Sequence, residues 1–175
     1  MKNSALLLAA TVALSGCLET TGPVFDASNA TPLAESEKFL AFVEFMEAAG
    51  ETMGGEGEGD SPRELLDKGA LGKDIGDLVL VQSPDEGKYS YMAVGVLGER
   101  AYTCFMMPDE EIGPIVEAYG VTVAEPDPNA GGGMGPQSMM LEGDPAKVAK
   151  FIEDQLKTAP LICMSVAKEQ AQAPL

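Results

Sequence analysis

The sequence predicts an α+β fold: an antiparallel sheet of about five strands with two main helices packed on one face. Two observations lead there. Apolar residues recur at helical spacing in two well-separated stretches, 35–49 and 144–158. Between them, from residue 78 to residue 107, short runs of β-formers alternate with turn residues.

The first helix is expected over Glu35 to Ala49. Phe39, Phe42, Val43, Met46 and Ala49 share one face, Glu35 and Glu37 suit the positive first turn, and Gly50 suits the stop. Leu40 and Phe45 widen the apolar stripe, as expected of a helix lying on a sheet. Gly54 to Asp60 alternates Gly with acidic residues and reads as a mobile loop, since it has nothing to bury. Ser61, Pro62 and Leu65-Leu66 then form a short capped helix closing near Gly69.

Strands are expected at 78–82, 89–97 and 100–107, joined by a turn over Ser83 to Gly87 and a tight hairpin at Gly98-Glu99, which makes an antiparallel meander. Pro108 to Tyr119 is helical with a kink or restart at Pro114, followed by a short strand at 121–124. Glu125 to Gln137, with three Pro and four Gly, reads as a second mobile loop, and Ser138 to Leu141 as a possible return strand. Asp144 as N-cap and Pro145 at the first helical position open the second main helix, whose apolar face carries Val148, Phe151, Ile152 and Leu156. A final strand at 161–166 and a polar tail at 168–175 complete the chain.

Composition narrows function mainly by exclusion. The 175 residues carry 11 Lys+Arg against 28 Asp+Glu, a formal net charge of −17, which repels nucleic-acid phosphates. There is no His, so a Ser-His-Asp triad, a Cys-His dyad and a His-bearing zinc site cannot be assembled. The densest acidic group, Asp109-Glu110-Glu111, is the kind of acidic first turn that a helix dipole favours, and no recognisable nucleophile stands beside it. No catalytic residue and no cofactor is expected.

The N-terminus is more specific. Lys2 lies in a short positive region, Ala5 to Ala13 is apolar, and Leu14-Ser15-Gly16-Cys17 follows. This stretch is too short for a stable membrane span, and its last four residues resemble the lipobox of bacterial lipoproteins. The resemblance covers only residues 1–17. It implies a signal peptide at 1–16, cleaved before Cys17, and acylation of Cys17, where two or three chains make membrane anchoring stable. Leu18 rather than Asp follows the cysteine, which by the same resemblance implies the outer membrane, facing the periplasm, rather than the inner one. Residues 17–34, rich in Gly, Pro, Ser, Thr and Asn, read as a lipidated flexible tether, and 35–167 as a single domain.

With Cys17 assigned to the anchor, Cys104 and Cys163 remain, and an oxidising envelope allows them one intramolecular pairing. A structural Cys104–Cys163 disulfide is expected, tying the meander to the last strand; no Cys-x-x-Cys redox motif is present. The expected role is a non-enzymatic interaction or structural module, held at the membrane by lipid and contacting another envelope protein or a cationic ligand. An alternative uses methionine, of which there are 10: Met134, Met139 and Met140 fall close together, and thioethers select Cu(I). That alternative, a small-ligand or Cu(I) binder, requires the three to converge on one side.

Overall fold

The computed structural model describes residues 18–49, 62–85, 87–105, 112–124, 139–158 and 162–167. Nine strands form one mixed, mostly antiparallel sheet. They are β1 (Leu18–Thr20), β2 (Thr31–Pro32), β3 (Leu71–Ile75), β4 (Leu78–Asp85), β5 (Lys88–Leu97), β6 (Arg100–Phe105), β7 (Thr122–Val123), β8 (Met139–Glu142) and β9 (Ile162–Ala167). The helices are α1 (Glu37–Ala48), α2 (Pro62–Asp67), α3 (Ile112–Ala118) and α4 (Pro145–Thr158).

The order β2-β3-β4-β5-β1-β8-β7 runs across the sheet, and β6 and β9 form a branch from β5. That branching follows from the length of β5. One edge pairs with β4 from Val94 to Lys88, while the other is divided: Tyr89–Tyr91 pair with β1, and Ala93–Leu97 pair with β6. The β5–β6 hairpin closes at Gly98-Glu99, where Gly98 takes a φ of 62°, a left-handed conformation that glycine adopts without strain. β1 with β8 is the only parallel pair among the described strands.

The expectation that both main helices cover one face is overturned. Phe39, Phe42, Val43 and Met46 of α1 pack with Val79, Val81, Val94 and Ala101, whereas Val148, Phe151 and Ile152 of α4 pack with Leu18, Leu80, Tyr91 and Leu141. Val79 and Val81 alternate with Leu80 along β4, so α1 and α4 lie on opposite faces. The cause is written in the run Leu78-Val79-Leu80-Val81, apolar on both sides of the strand and therefore needing cover on both.

A second correction concerns residues 18–34, which are part of the fold rather than a tether. Leu18 and Phe25 are each 1% exposed, and Leu33 is equally buried. β1 occupies the middle of the sheet between β5 and β8, and β2 adds its far edge beside β3. The described fold thus begins at residue 18, not 35.

Several expected elements hold, among them the Asp144 cap of α4, whose Oδ1 accepts from the Ala146 amide at 2.9 Å. α1 starts two residues later than expected: Ser36 caps it, its Oγ accepting from the Phe39 amide at 3.4 Å, so Glu35 falls before the helix and Glu37 alone is the acidic residue of its first turn. β4 and β5 reach further into their connecting turn than expected, pairing as far as Asp85 with Lys88. β3 was absent from the expected strands because Gly72, Lys73 and Asp74 dilute its apolar signal. Gly72 is required there: a Cβ would come within 2.7 Å of Leu33 Cδ2 and 2.9 Å of Val79 Cγ1. The Gly54–Asp60 and Glu125–Gln137 loops, the segment 106–111 and the 168–175 tail lie outside the described residues.

Candidate functional site

Cys17 lies outside the described residues, one peptide bond before the buried Leu18. Cys104 and Cys163 face each other directly across β6 and β9 and form the disulfide, with Cα atoms 4.0 Å apart. That close spacing matches a non-hydrogen-bonded antiparallel pair. Cys104 is buried and Cys163 is exposed.

Of the three methionines in the copper alternative, Met139 and Met140 lie among the described residues. Met139 and Met140 are consecutive on β8 and so point to opposite faces, and Met139 packs against the α4-side core. Met134 lies outside the described residues, as do Asp109, Glu110 and Glu111. Among the described residues no group of three or more His, Cys, Asp or Glu is placed to hold a metal ion.

An open cleft of about 660 Å³ lies where the turn Ala27–Thr31, the start of α1 and β3 meet. Sequence reading missed it because its walls come from segments that are distant along the chain. Its cations are already engaged. Lys38 Nζ donates to Asp74 Oδ2 at 2.7 Å and to the Gly76 carbonyl at 2.9 Å. Lys73 pairs with Glu153 and lies 5.3 Å above the centre of the Phe25 ring. Beside the cleft, Asp26 Oδ1 accepts from both the Ser28 hydroxyl and the Ser28 amide, which holds the Asp26 carboxyl below its ordinary pKa. The cleft is therefore a polar groove with neutralised lysines.

No protein-family model, curated protein or solved structure matches this chain.

A polar cluster of Thr20, Gln82 and Tyr91 lies in the interior. Gln82 Oε1 accepts from the amides of Val24 at 2.7 Å and Phe25 at 2.8 Å, while Gln82 Nε2 donates to the Phe25 carbonyl at 3.0 Å. Thr20 Oγ1 donates its single proton to the Gly22 carbonyl at 2.6 Å, so the Tyr91 hydroxyl must donate in their 2.8 Å contact. Tyr91 also lies 3.2 Å from Gln82 Oε1, and burial pushes its pKa up to about 12. Every buried side-chain nitrogen and oxygen among the described residues has a partner. This cluster has a structural job: it replaces the hydrogen bonds that the irregular chain from Gly22 to Phe25 cannot make with itself.

On the outer side of α4, Tyr119 donates to Asp154 Oδ2 at 3.1 Å and Lys150 to the same oxygen at 2.6 Å. Desolvation, and then that hydrogen bond to Asp154, raise the Tyr119 pKa; the same carboxylate raises that of Lys150. Both groups keep their protons at neutral pH, an arrangement suited to holding α3 against α4 rather than to proton transfer.

Proposed function

We propose that this chain is a lipid-anchored module of the bacterial outer membrane, facing the periplasm, that contacts another envelope protein and performs no catalysis of its own. The observation that carries the reading is Leu14-Ser15-Gly16-Cys17 after a short charged and apolar leader. Acyl chains on Cys17 would supply the attachment. The Cys104–Cys163 disulfide accords with an oxidising compartment. A net charge of −17 favours a cationic surface on the partner.

The test is fractionation of cells producing the full chain and its Cys17→Ala variant, with the mass of the N-terminal peptide measured in each. The native chain is expected in the outer-membrane fraction with an acylated Cys17. The variant is expected to keep residues 1–16 and to lose the acyl mass. An unmodified Cys17 in the native chain, or an acylated chain recovered with the inner membrane, would refute the anchor or the address respectively.

A further inference from the structure

We propose that the Cys104–Cys163 disulfide is a redox latch: a dithiol attacks it at Cys163, and its opening releases β9 from the sheet while the rest of the fold stands. The inference does not depend on the lipid anchor, and it gives the module one element that can be switched.

The first support is how little else holds β9. None of residues 163–167 is buried, whereas Ala101, Thr103, Cys104 and Phe105 of the facing β6 all are. Among the described strands β9 pairs with β6 alone, from Arg100 with Ala167 to Phe105 with Ile162. Outside that ladder, Val166 packs partly against the α1-side cluster, and Arg100 donates from Nη2 to Ser165 Oγ at 2.7 Å on an exposed surface. A strand paired on one side and poor in buried contacts belongs to the low end of local stability, so a covalent tie decides whether it stays.

The second support is access. Cys163 is exposed and Cys104 is 2% exposed, so a thiolate reaches the bond at Cys163 Sγ, and exposed disulfides are the ones that exchange readily. The attacking thiolate bonds to Cys163 Sγ as the S–S bond breaks, and Cys104 leaves as a thiolate that takes up a proton. The reagent's second thiolate then attacks the reagent sulfur of the mixed disulfide and expels Cys163, which is protonated in turn. Two electrons pass from the dithiol, which closes into its own disulfide, to the cysteine pair, which ends as two thiols. Only Cys17 remains in the chain, so the dithiol comes from outside it.

The third support is what opening leaves behind. The buried residues of the α1-side and α4-side cores come from other elements, and β9 adds only the partly buried Val166 to one of them. Loss of β9 therefore removes little of either core. It turns β6 into a sheet edge from Arg100 to Phe105, whose freed backbone groups can pair with another strand.

Reduction is followed on the full chain in neutral detergent by iodoacetamide trapping and peptide mapping, which separates Cys104 and Cys163 from Cys17. Dithiothreitol is expected to open the native bond within about tenfold of its rate on the urea-unfolded chain; a slower native reaction means a shielded bond and overturns the latch. Glutathione, a monothiol, should leave its adduct on Cys163 with Cys104 alkylated, and the reverse distribution overturns the direction of attack. Amide hydrogen exchange of the reduced chain then reads the release. The directly opposed cysteines form a non-hydrogen-bonded pair, so the amides of Met164 and Val166 are the ones that donate to β6. Their exchange is expected to rise about tenfold or more on reduction, while the amides of Val79 to Val81 keep their protection. A smaller rise at Met164 and Val166 overturns the latch. An equal loss of protection along β4 means that the bond holds the whole fold rather than β9, and overturns it as well.

Discussion

The two faces of the sheet are built from different chemistry. On the α1 side the buried residues that pack together are hydrocarbon and thioether: Phe39, Phe42, Val43 and Met46 against Val79, Val81 and Val94. On the α4 side, Thr20, Gln82 and Tyr91 are buried beside Leu18, Phe25, Leu80 and Phe151. The difference lies in what covers each face. A helix satisfies its own interior backbone groups, so the sheet beneath it need supply no hydrogen bonds to its cover, and the buried polar residues that share this face by strand alternation, Ser83 and Thr103, carry only small hydroxyls. The α4 side is covered partly by the irregular segment running from β1 through Phe25, whose amides must find acceptors in the interior. Gln82 supplies one, on a strand whose neighbours Leu80 and Val81 are fully buried.

Removing that acceptor should break the comparison most severely. Gln82→Ala leaves the Val24 and Phe25 amides and the Phe25 carbonyl without partners, and buried unsatisfied groups cost about 1–3 kcal/mol each. A loss of about 4 kcal/mol is expected in urea unfolding, with faster amide hydrogen exchange at Val24 and Phe25. A loss below about 1 kcal/mol would mean that the segment stays in place by apolar packing alone, and the two faces would then be energetically alike.

The same contrast explains what the sequence could reveal. α1 and α4 were legible because helical spacing of Phe39, Phe42, Val43 and Met46, and of Val148, Phe151 and Ile152, is a local signal. The β5–β6 hairpin was legible through Gly98-Glu99, and the disulfide through the pairing left to Cys104 and Cys163. β1 and the turn to Phe25 were not legible, because their burial depends on Gln82 and Tyr91, more than fifty residues away. Gly and Pro at 22 and 23 describe that irregular path correctly but cannot say whether it crosses solvent or a sheet. The opposed faces of α1 and α4 were present in the apolar run of β4, which by itself does not say which helix takes which side. The open cleft had no local signature, since its three walls meet only in the folded chain.

A polar group placed on the other face should sharpen the comparison. Val81 is 0% exposed among the α1-side residues, and Val81→Thr changes shape little while introducing a hydroxyl. With no irregular backbone there to accept or donate, the substitution is expected to cost about 2 kcal/mol in thermal or urea unfolding. An unchanged stability would show that the centre of the α1 side takes a hydroxyl as readily as its margins do at Ser83 and Thr103, and that the apolar character of that centre is incidental.

The smallest effect at neutral pH isolates the hydroxyl within the α4-side cluster. Tyr91→Phe keeps the ring that packs edge-on against Phe25 at 6.2 Å and removes the contacts to Thr20 and Gln82, a loss of about 1 kcal/mol. Alkaline pH gives this variant its distinctive signature. Burial holds the Tyr91 pKa at about 12 in the folded protein, whereas an unfolded tyrosine ionises near pH 10. Between those values the unfolded chain releases a proton that the folded chain retains, so the stability fully present below pH 10 is lost as pH rises toward 12. A shift of two pKa units corresponds to about 2–3 kcal/mol. The difference in stability between native and Tyr91→Phe chains should therefore shrink and change sign across that interval, because the variant has no hydroxyl to ionise at this position. Other tyrosines, including Tyr119 with its own raised pKa, contribute to both chains and cancel in the difference. Parallel stability curves from pH 9 to pH 12 would instead mean that the Tyr91 hydroxyl is open to solvent, and that the polar interior of the α4 side is confined to Gln82 and the backbone it holds.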